Sequence, residues 1–147
     1  MLVKEIMHIP VVTIQPDDTL RQAAERMVEY GVNGLPVIDA QGYVIGIIGL
    51  KDILRAPFPS LVQSRVSRQT RPEEILRHLD VTRVERVMAT MVWSVREDDE
   101  VMKAVVVMVN EGLHPLPVLR EGRMIGIISR ADAVRAILSS DSDTANE

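Results

Sequence analysis

The sequence predicts a mixed α/β (α+β) protein built from two tandem copies of one β-α-β-β-α unit. Three observations carry the prediction: short motifs recur at a constant spacing, the apolar period changes in the same order in each copy, and the one slip in spacing falls among turn residues. Val3-Lys4-Glu5-Ile6-Met7 returns 81 residues later as Val84-Glu85-Arg86-Val87-Met88, Asp17-Asp18 as Asp98-Asp99, and Leu35-Pro36-Val37-Ile38 as Leu116-Pro117-Val118-Leu119. After Asp39 the offset falls to 80, which sets Ile45-Gly46-Ile47-Ile48 against Ile125-Gly126-Ile127-Ile128 and Asp52 against Asp132. A one-residue slip belongs in a hairpin turn.

In the first copy, Pro10 to Ile14 is a short apolar run suited to a strand, and Pro16-Asp17-Asp18-Thr19 supplies helix-start residues. Leu20, Ala23, Ala24, Met27 and Val28 then recur at i, i+3, i+4, i+7 and i+8, the stripe of an amphipathic helix that Gly31 ends. Leu35 to Ile38 and Tyr43 to Ile48 are two further apolar runs, joined by the turn chemistry of Asp39-Ala40-Gln41-Gly42. A last helix begins near Lys51. The second copy repeats this order, but Val101 to Val109 is apolar almost all round, with Val106 and Val107 where the first copy has Glu25 and Arg26. Taken alone that stretch reads as strand or helix; alignment with the amphipathic first copy decides for helix. Such a helix needs cover on both sides, and in so small a protein the second cover is expected to be another subunit.

These elements give a first repeat over 1–56, a connector over 57–83, a second repeat over 84–138 and a disordered polar tail over 139–147. Within the connector, Pro72 to Arg77 reads as a short helix with proline and two acids in its first turn. Arg65, Arg68, Arg71, Arg77 and Arg83 outnumber its acids, the pattern of a solvated linker or of an anion-contacting arm.

Composition removes several function classes. The chain is 46% hydrophobic and 26% charged, ordinary for a folded globular protein. Its aromatics are Trp93, Tyr30, Tyr43 and Phe58, few platforms for stacking bases, and its net charge of −4 repels a phosphate backbone, so nucleic acid is not an expected partner. Without cysteine there is no disulfide and no thiolate, and His8 and His78 lack partners at metal-ligand spacing, so no metal site is expected. No signal peptide and no membrane-length apolar run are visible, which predicts a cytoplasmic protein that does not span a membrane. Asp17-Asp18 and Asp98-Asp99 resemble paired acids, but their repeated place before a helix marks them as caps. No serine, histidine and carboxylate arrangement is distinctive, so no enzyme and no catalytic residue are expected.

The order V-x-x-h-M, G-h-x-x-L-P-V-h, G-h-h-x-x-x-D, present twice, resembles the CBS domain, and two in tandem resemble a Bateman module. The resemblance covers about residues 3 to 56 and 84 to 138. It implies two units packed sheet to sheet about a pseudo-twofold axis, with clefts between the repeats that bind AMP, ADP, ATP or another adenosyl ligand. It also implies a homodimer formed through helices, and a regulatory, energy-sensing role toward an effector protein that is not part of this chain. The rival expectation is an interaction scaffold of the same fold that binds no ligand.

Ser129 and Asp132 have the spacing of a capping box, and a carboxylate at such a strand-to-helix corner also accepts from both hydroxyls of a ribose. In the family pattern these positions bind ribose, so Asp132, Ser129 and Asp52 are the implied ribose-binding residues. The first copy has Gly49 in place of Ser129, and the missing hydroxyl predicts tighter binding at Asp132 than at Asp52. Arg130 and Lys51 stand beside the two carboxylates, either facing water or meeting phosphates. His114 lies at a family position that often contacts phosphate; its counterpart is Asn33. For the adenine, the family pattern implies Ile9, Pro10, Val11, Thr13 and Gly34 with Asp132, and Thr90, Met91, Val92 and Ser94 with Asp52.

Overall fold

The computed structural model describes residues 1–9, 12–57, 71–112 and 115–144. Two units are distinct in it, Val12–Val92 and Met1–Val11 with Trp93–Glu147. In the first, Thr19 caps helix α1 (Leu20–Tyr30) reciprocally: Gln22 N–H donates to the Thr19 hydroxyl at 3.2 Å and Thr19 N–H to Gln22 Oε1 at 2.8 Å. Leu20, Ala23 and Met27 face the core, and the helix ends at Gly31 in the left-handed region. Val28, expected on the same stripe, is 78% exposed, because i+8 stands about 80° round the helix from Leu20. Strands β1 (Gly34–Ile38) and β2 (Val44–Gly49) form an antiparallel hairpin that leads into α2 (Leu50–Arg55). Helix α3 (Pro72–Val81) runs past Arg77, where the sequence pattern weakened, and is tied to α1 by Arg21 and Asp80 at 3.1 Å. Ile14, Leu20, Met27, Leu35, Val37 and Ile48 make the core.

The second unit repeats the succession as β3 (Val95–Arg96), α4 (Val101–Glu111), β4 (Leu116–Arg120), β5 (Arg123–Ile128) and α5 (Arg130–Thr144). Strand β3 runs parallel to β4, and β4 antiparallel to β5, around Val3, Val95, Ala104, Leu116, Val118 and Ile128. Residues 101–111 are helical, as the repeat alignment required. The one-residue slip falls between the pairs Ile38↔Val44 and Leu119↔Met124, inside the hairpin turns. The shorter turn places Glu121 and Gly122 at positive φ, whereas in the longer one Asp39 Oδ1 accepts from the N–H groups of Gln41 and Tyr43.

Three expectations need correction. The strand expected from Pro10 to Ile14 reduces, among the described residues, to one parallel bridge between Ile14 and Val37; the preceding Thr13 carbonyl accepts from the Arg26 guanidinium instead of a neighbouring strand. Asp18 and Asp99 do not cap helices. Each accepts from the N–H three residues earlier, Gln15 and Arg96, and closes the turn ahead of the helix. The polar run after Leu138 is not a disordered tail as far as Thr144: α5 continues through it, with the hydroxyls of Ser139 and Ser140 donating back to the carbonyls of Ala136 and Ile137.

Each unit is completed by a strip coded ahead of the other repeat. Residues 1–8 lie on the second repeat, with Val3 N–H donating to Asp99 O, Lys4 N–H to Glu97 O and Val101 N–H to Met1 O. Residues 82–89 lie on the first repeat through the matching bonds Val84 to Asp18, Glu85 to Pro16 and Leu20 to Thr82. Val3 and Val84, the first residues of the V-x-x-h-M motif, are fully buried. At the end of each strip, His8 pairs in both directions with Ile127 and Ala89 with Ile47. The methionine before each lies over a strand glycine; a Cβ on Gly126 or Gly46 would meet the sulfur of Met7 at 2.6 Å or of Met88 at 2.5 Å. At Gly46 the Cβ would also lie 2.9 Å from the backbone oxygen of Ala89, whereas at Gly126 the tight contacts are with the flexible end of Met7.

Candidate functional site

In each unit the second strand of the hairpin turns straight into a helix whose third residue is an aspartate. The carboxylate reaches back to the residue that caps the helix: Gly49 N–H donates to Asp52 Oδ2 at 2.8 Å, and Ser129 N–H to Asp132 Oδ2 at 2.8 Å. Ser129 adds the other half of a capping box, its Oγ accepting from Asp132 N–H at 3.2 Å while its hydroxyl donates to Oδ2 at 2.9 Å. Capping and a carboxylate held at the corner are the same arrangement.

Beyond that shared frame the corners differ. At Asp132, His8 Nδ1 lies 2.7 Å from Oδ2, and Arg135, one turn along α5, donates from Nη2 to Oδ1 at 2.6 Å. Asp132 is only 3% exposed, while the His8 and Arg135 side chains are each more than half exposed. An ionised carboxylate only accepts, so the imidazole carries its proton on Nδ1. The Asp52 carboxylate has the Gly49 N–H as its one hydrogen-bond partner among the described residues. Position 8 aligns with Ala89, which carries no polar side chain to the Asp52 corner.

Burial pushes the Asp132 carboxyl up, but the N–H and hydroxyl of Ser129, the Arg135 guanidinium and His8 together outweigh it and hold the group below the usual carboxylate range. Asp99 is also held low, by the Arg96 N–H and then, against burial, by Lys103 at 3.1 Å. Both groups bind protons more weakly folded than unfolded. Their stabilisation is complete above the ordinary value of 3.8 and is lost as pH falls through the lower folded values. Acid unfolding followed by circular dichroism should therefore steepen below about pH 4, and Asp132→Asn should flatten part of that limb. An unchanged acid limb in Asp132→Asn would mean that the carboxylate is not held in this way.

His8, Asp132 and Arg135 line a surface cavity of about 830 Å³, with Met7, Ala136 and Leu138 on its apolar side. Neither His8 nor Arg135 was singled out as a site residue from sequence. Arg130 and Lys51 are exposed and pair with no acid among the described residues. Ile9 follows His8 in the Asp132 unit, and Thr90, Met91 and Val92 follow Ala89 in the Asp52 unit. Thr13 and Gly34 belong to the Asp52 unit, where Gly34 pairs with Gly49, and Ser94 belongs to the Asp132 unit. Pro10, Val11 and His114 lie outside the described residues. Among the described residues no cluster of three or more His, Asp or Glu is arranged to hold a metal ion, and no helix is long and apolar enough to cross a membrane.

The sequence model of the CBS domain matches residues 3–58 and again residues 84–139. The chain belongs to the CBS domain family. An uncharacterized 17.7 kDa protein of Acidianus ambivalens is 33% identical over 137 residues, which span 92% of this CBS pair and 73% of that protein. CBSX2 of Arabidopsis thaliana, solved in complex with AMP, is similar with a TM-score of 0.75 at 26% identity, covering 95% of this chain and 98% of that one. The CBS domain pair of protein MJ0100, solved in complex with 5′-methylthioadenosine and S-adenosyl-L-methionine, has a TM-score of 0.74 at 25% identity, again covering 95% and 98%. The resemblance read from the repeated motifs is thus correct, and CBS pairs of this fold include binders of adenosyl compounds.

Proposed function

We propose that this CBS pair is a regulatory module that binds an adenosyl compound, AMP, ADP or ATP among the candidates, and signals its occupancy to a partner protein. The observation that carries the reading is the Asp132 carboxylate, buried at a strand-to-helix corner and set in a cavity of about 830 Å³ with basic and apolar groups beside it. Complexes of two similar CBS pairs with AMP and with methylthioadenosine and S-adenosylmethionine support it. In this reading Asp132 with Ser129, and Asp52 in the other unit, accept the ribose hydroxyls, and Arg130 and Lys51 stand near enough in sequence to meet phosphates. Ile9 and Thr90 to Val92 supply backbone and apolar contacts for the base. The reading assigns no catalysis. A thermal-shift series with adenosine, AMP, ADP, ATP, methylthioadenosine and S-adenosylmethionine tests it: a ligand at 100 times its Kd stabilises the fold by about 2.7 kcal/mol. No shift with any of them at millimolar concentration sinks the reading and favours a ligand-free scaffold.

The module is also proposed to be a homodimer. Met102, Val106 and Val109 form an exposed apolar stripe on α4, and Val134, Ile137 and Leu138 another on α5, which packs beside it. Adjacent stripes of this size are a pairing surface rather than scattered surface residues, and a second copy presents the same apolar face. Val106→Glu is expected to convert the dimer to monomer in sedimentation velocity. A wild type that sediments as a monomer at all practical concentrations removes the proposal.

A further inference from the structure

We propose that His8, together with Arg135, is a latch on the Asp132 carboxylate that an incoming ribose must displace, and that His8 makes the two ligand corners unequal. The inference rests on the adenosyl reading above and adds the residue that sets affinity. An ionised carboxylate offers about four acceptor positions. At Asp132 four donors converge unevenly: the Ser129 N–H and hydroxyl and His8 Nδ1 all meet Oδ2, and Arg135 Nη2 meets Oδ1, which leaves one position, on Oδ1. At Asp52 the Gly49 N–H is one donor, and the other positions face no donor among the described residues. Among the described residues, then, nothing has to leave Asp52 for two ribose hydroxyls to enter, whereas at Asp132, with one position open, a second hydroxyl must displace a donor. The Ser129 N–H is fixed by the start of the helix. His8 and Arg135 are the exposed members of the set and the ones free to swing away.

The repeat supplies its own control, since position 8 is histidine where the other strip has Ala89, on otherwise equivalent backbone bonds. The ranking expected from Ser129 alone is thereby reversed. The hydroxyl that was to favour the Asp132 corner donates to the carboxylate itself, and the histidine beside it competes with the ligand.

Adenosine, which carries no phosphate, isolates the ribose contact, and the amides of Ser129 and Gly49, each bonded to its aspartate, report the two corners by NMR. His8→Ala should tighten adenosine binding read at Ser129 about tenfold and leave the value at Gly49 unchanged; Ala89→His should weaken binding read at Gly49 by a similar factor. A ligand-free measurement runs beside it. In urea, the cost of His8→Ala with Asp132→Ala should be clearly smaller than the sum of the single costs, because either change removes the same contact. Additive costs overturn the latch, as does adenosine binding at Ser129 that is unchanged or weaker in His8→Ala. If neither amide responds to adenosine in any protein while the costs are non-additive, the His8–Asp132 contact stands but the adenosyl reading fails, and the competition proposed here fails with it.

Discussion

Replacing Gly46 with valine is expected to lower stability by about 3 kcal/mol, a fall in Tm on the order of 10 °C. A side chain at position 46 would start with a Cβ 2.5 Å from the sulfur of Met88 and 2.9 Å from the backbone oxygen of Ala89. The sulfur can move; the carbonyl cannot, because it accepts from Ile47 N–H at 2.9 Å and fixes the strip to the strand. Accommodating valine therefore breaks that pairing and loosens the segment that leads into Thr90. At the aligned Gly126 the tightest contacts are the flexible end of Met7, at 2.6 and 3.1 Å, and the nearest backbone oxygen, of His8, is 3.3 Å away. Gly46→Ala should accordingly cost more than Gly126→Ala. Differential scanning calorimetry of the alanine pair decides it, and equal or inverted costs would show that the strips yield alike.

Asp132→Ala is expected to lower affinity for AMP at its own corner about 100-fold, since two hydrogen bonds to a charged acceptor are lost together. It also removes half of the capping box and the common partner of His8 and Arg135, for a stability cost of about 2 kcal/mol. Isothermal titration should then show the Asp52 corner alone, with its own affinity retained. Asp132→Asn separates the two effects: the amide oxygen still caps Ser129, so most of the stability should return while ribose binding stays weak. Equal AMP affinity in Asp132→Ala and wild type would remove this carboxylate from the site.

The two repeats, the order of their elements and the place of the one-residue slip were legible in the sequence because each has a local signature: a period, a cap, a turn. The helix at Val101 was legible only through its amphipathic twin. What the repeat concealed was partnership. Val3 and Met7 are apolar in the same pattern as Val84 and Met88, and a pattern that occurs twice does not say which copy a strip will meet. For that reason the sequence weighs His8 only as a metal ligand without partners; its carboxylate lies 124 residues away. A signal for it did exist, a titratable residue at position 8 aligned with alanine at 89. Arg135 was visible too, one helical turn beyond Asp132. The roles of Ser129 and Asp132 as helix cap were read correctly, but the saturation of the carboxylate depends on side chains from two distant segments.

The exchange of leading strips imposes an order on synthesis. The unit of residues 12–92 carries its own strip in one continuous stretch and has everything it needs once residue 92 has emerged. The other unit begins with residues 1–8 and cannot close until its second repeat is made, well over a hundred residues later. At about 5–20 residues per second, Val3, Ile6 and Met7 wait on the order of ten seconds with no surface to cover them. The strip of residues 1–8 is thus made well before the repeat that covers it, and it brings His8 to Asp132 as it docks.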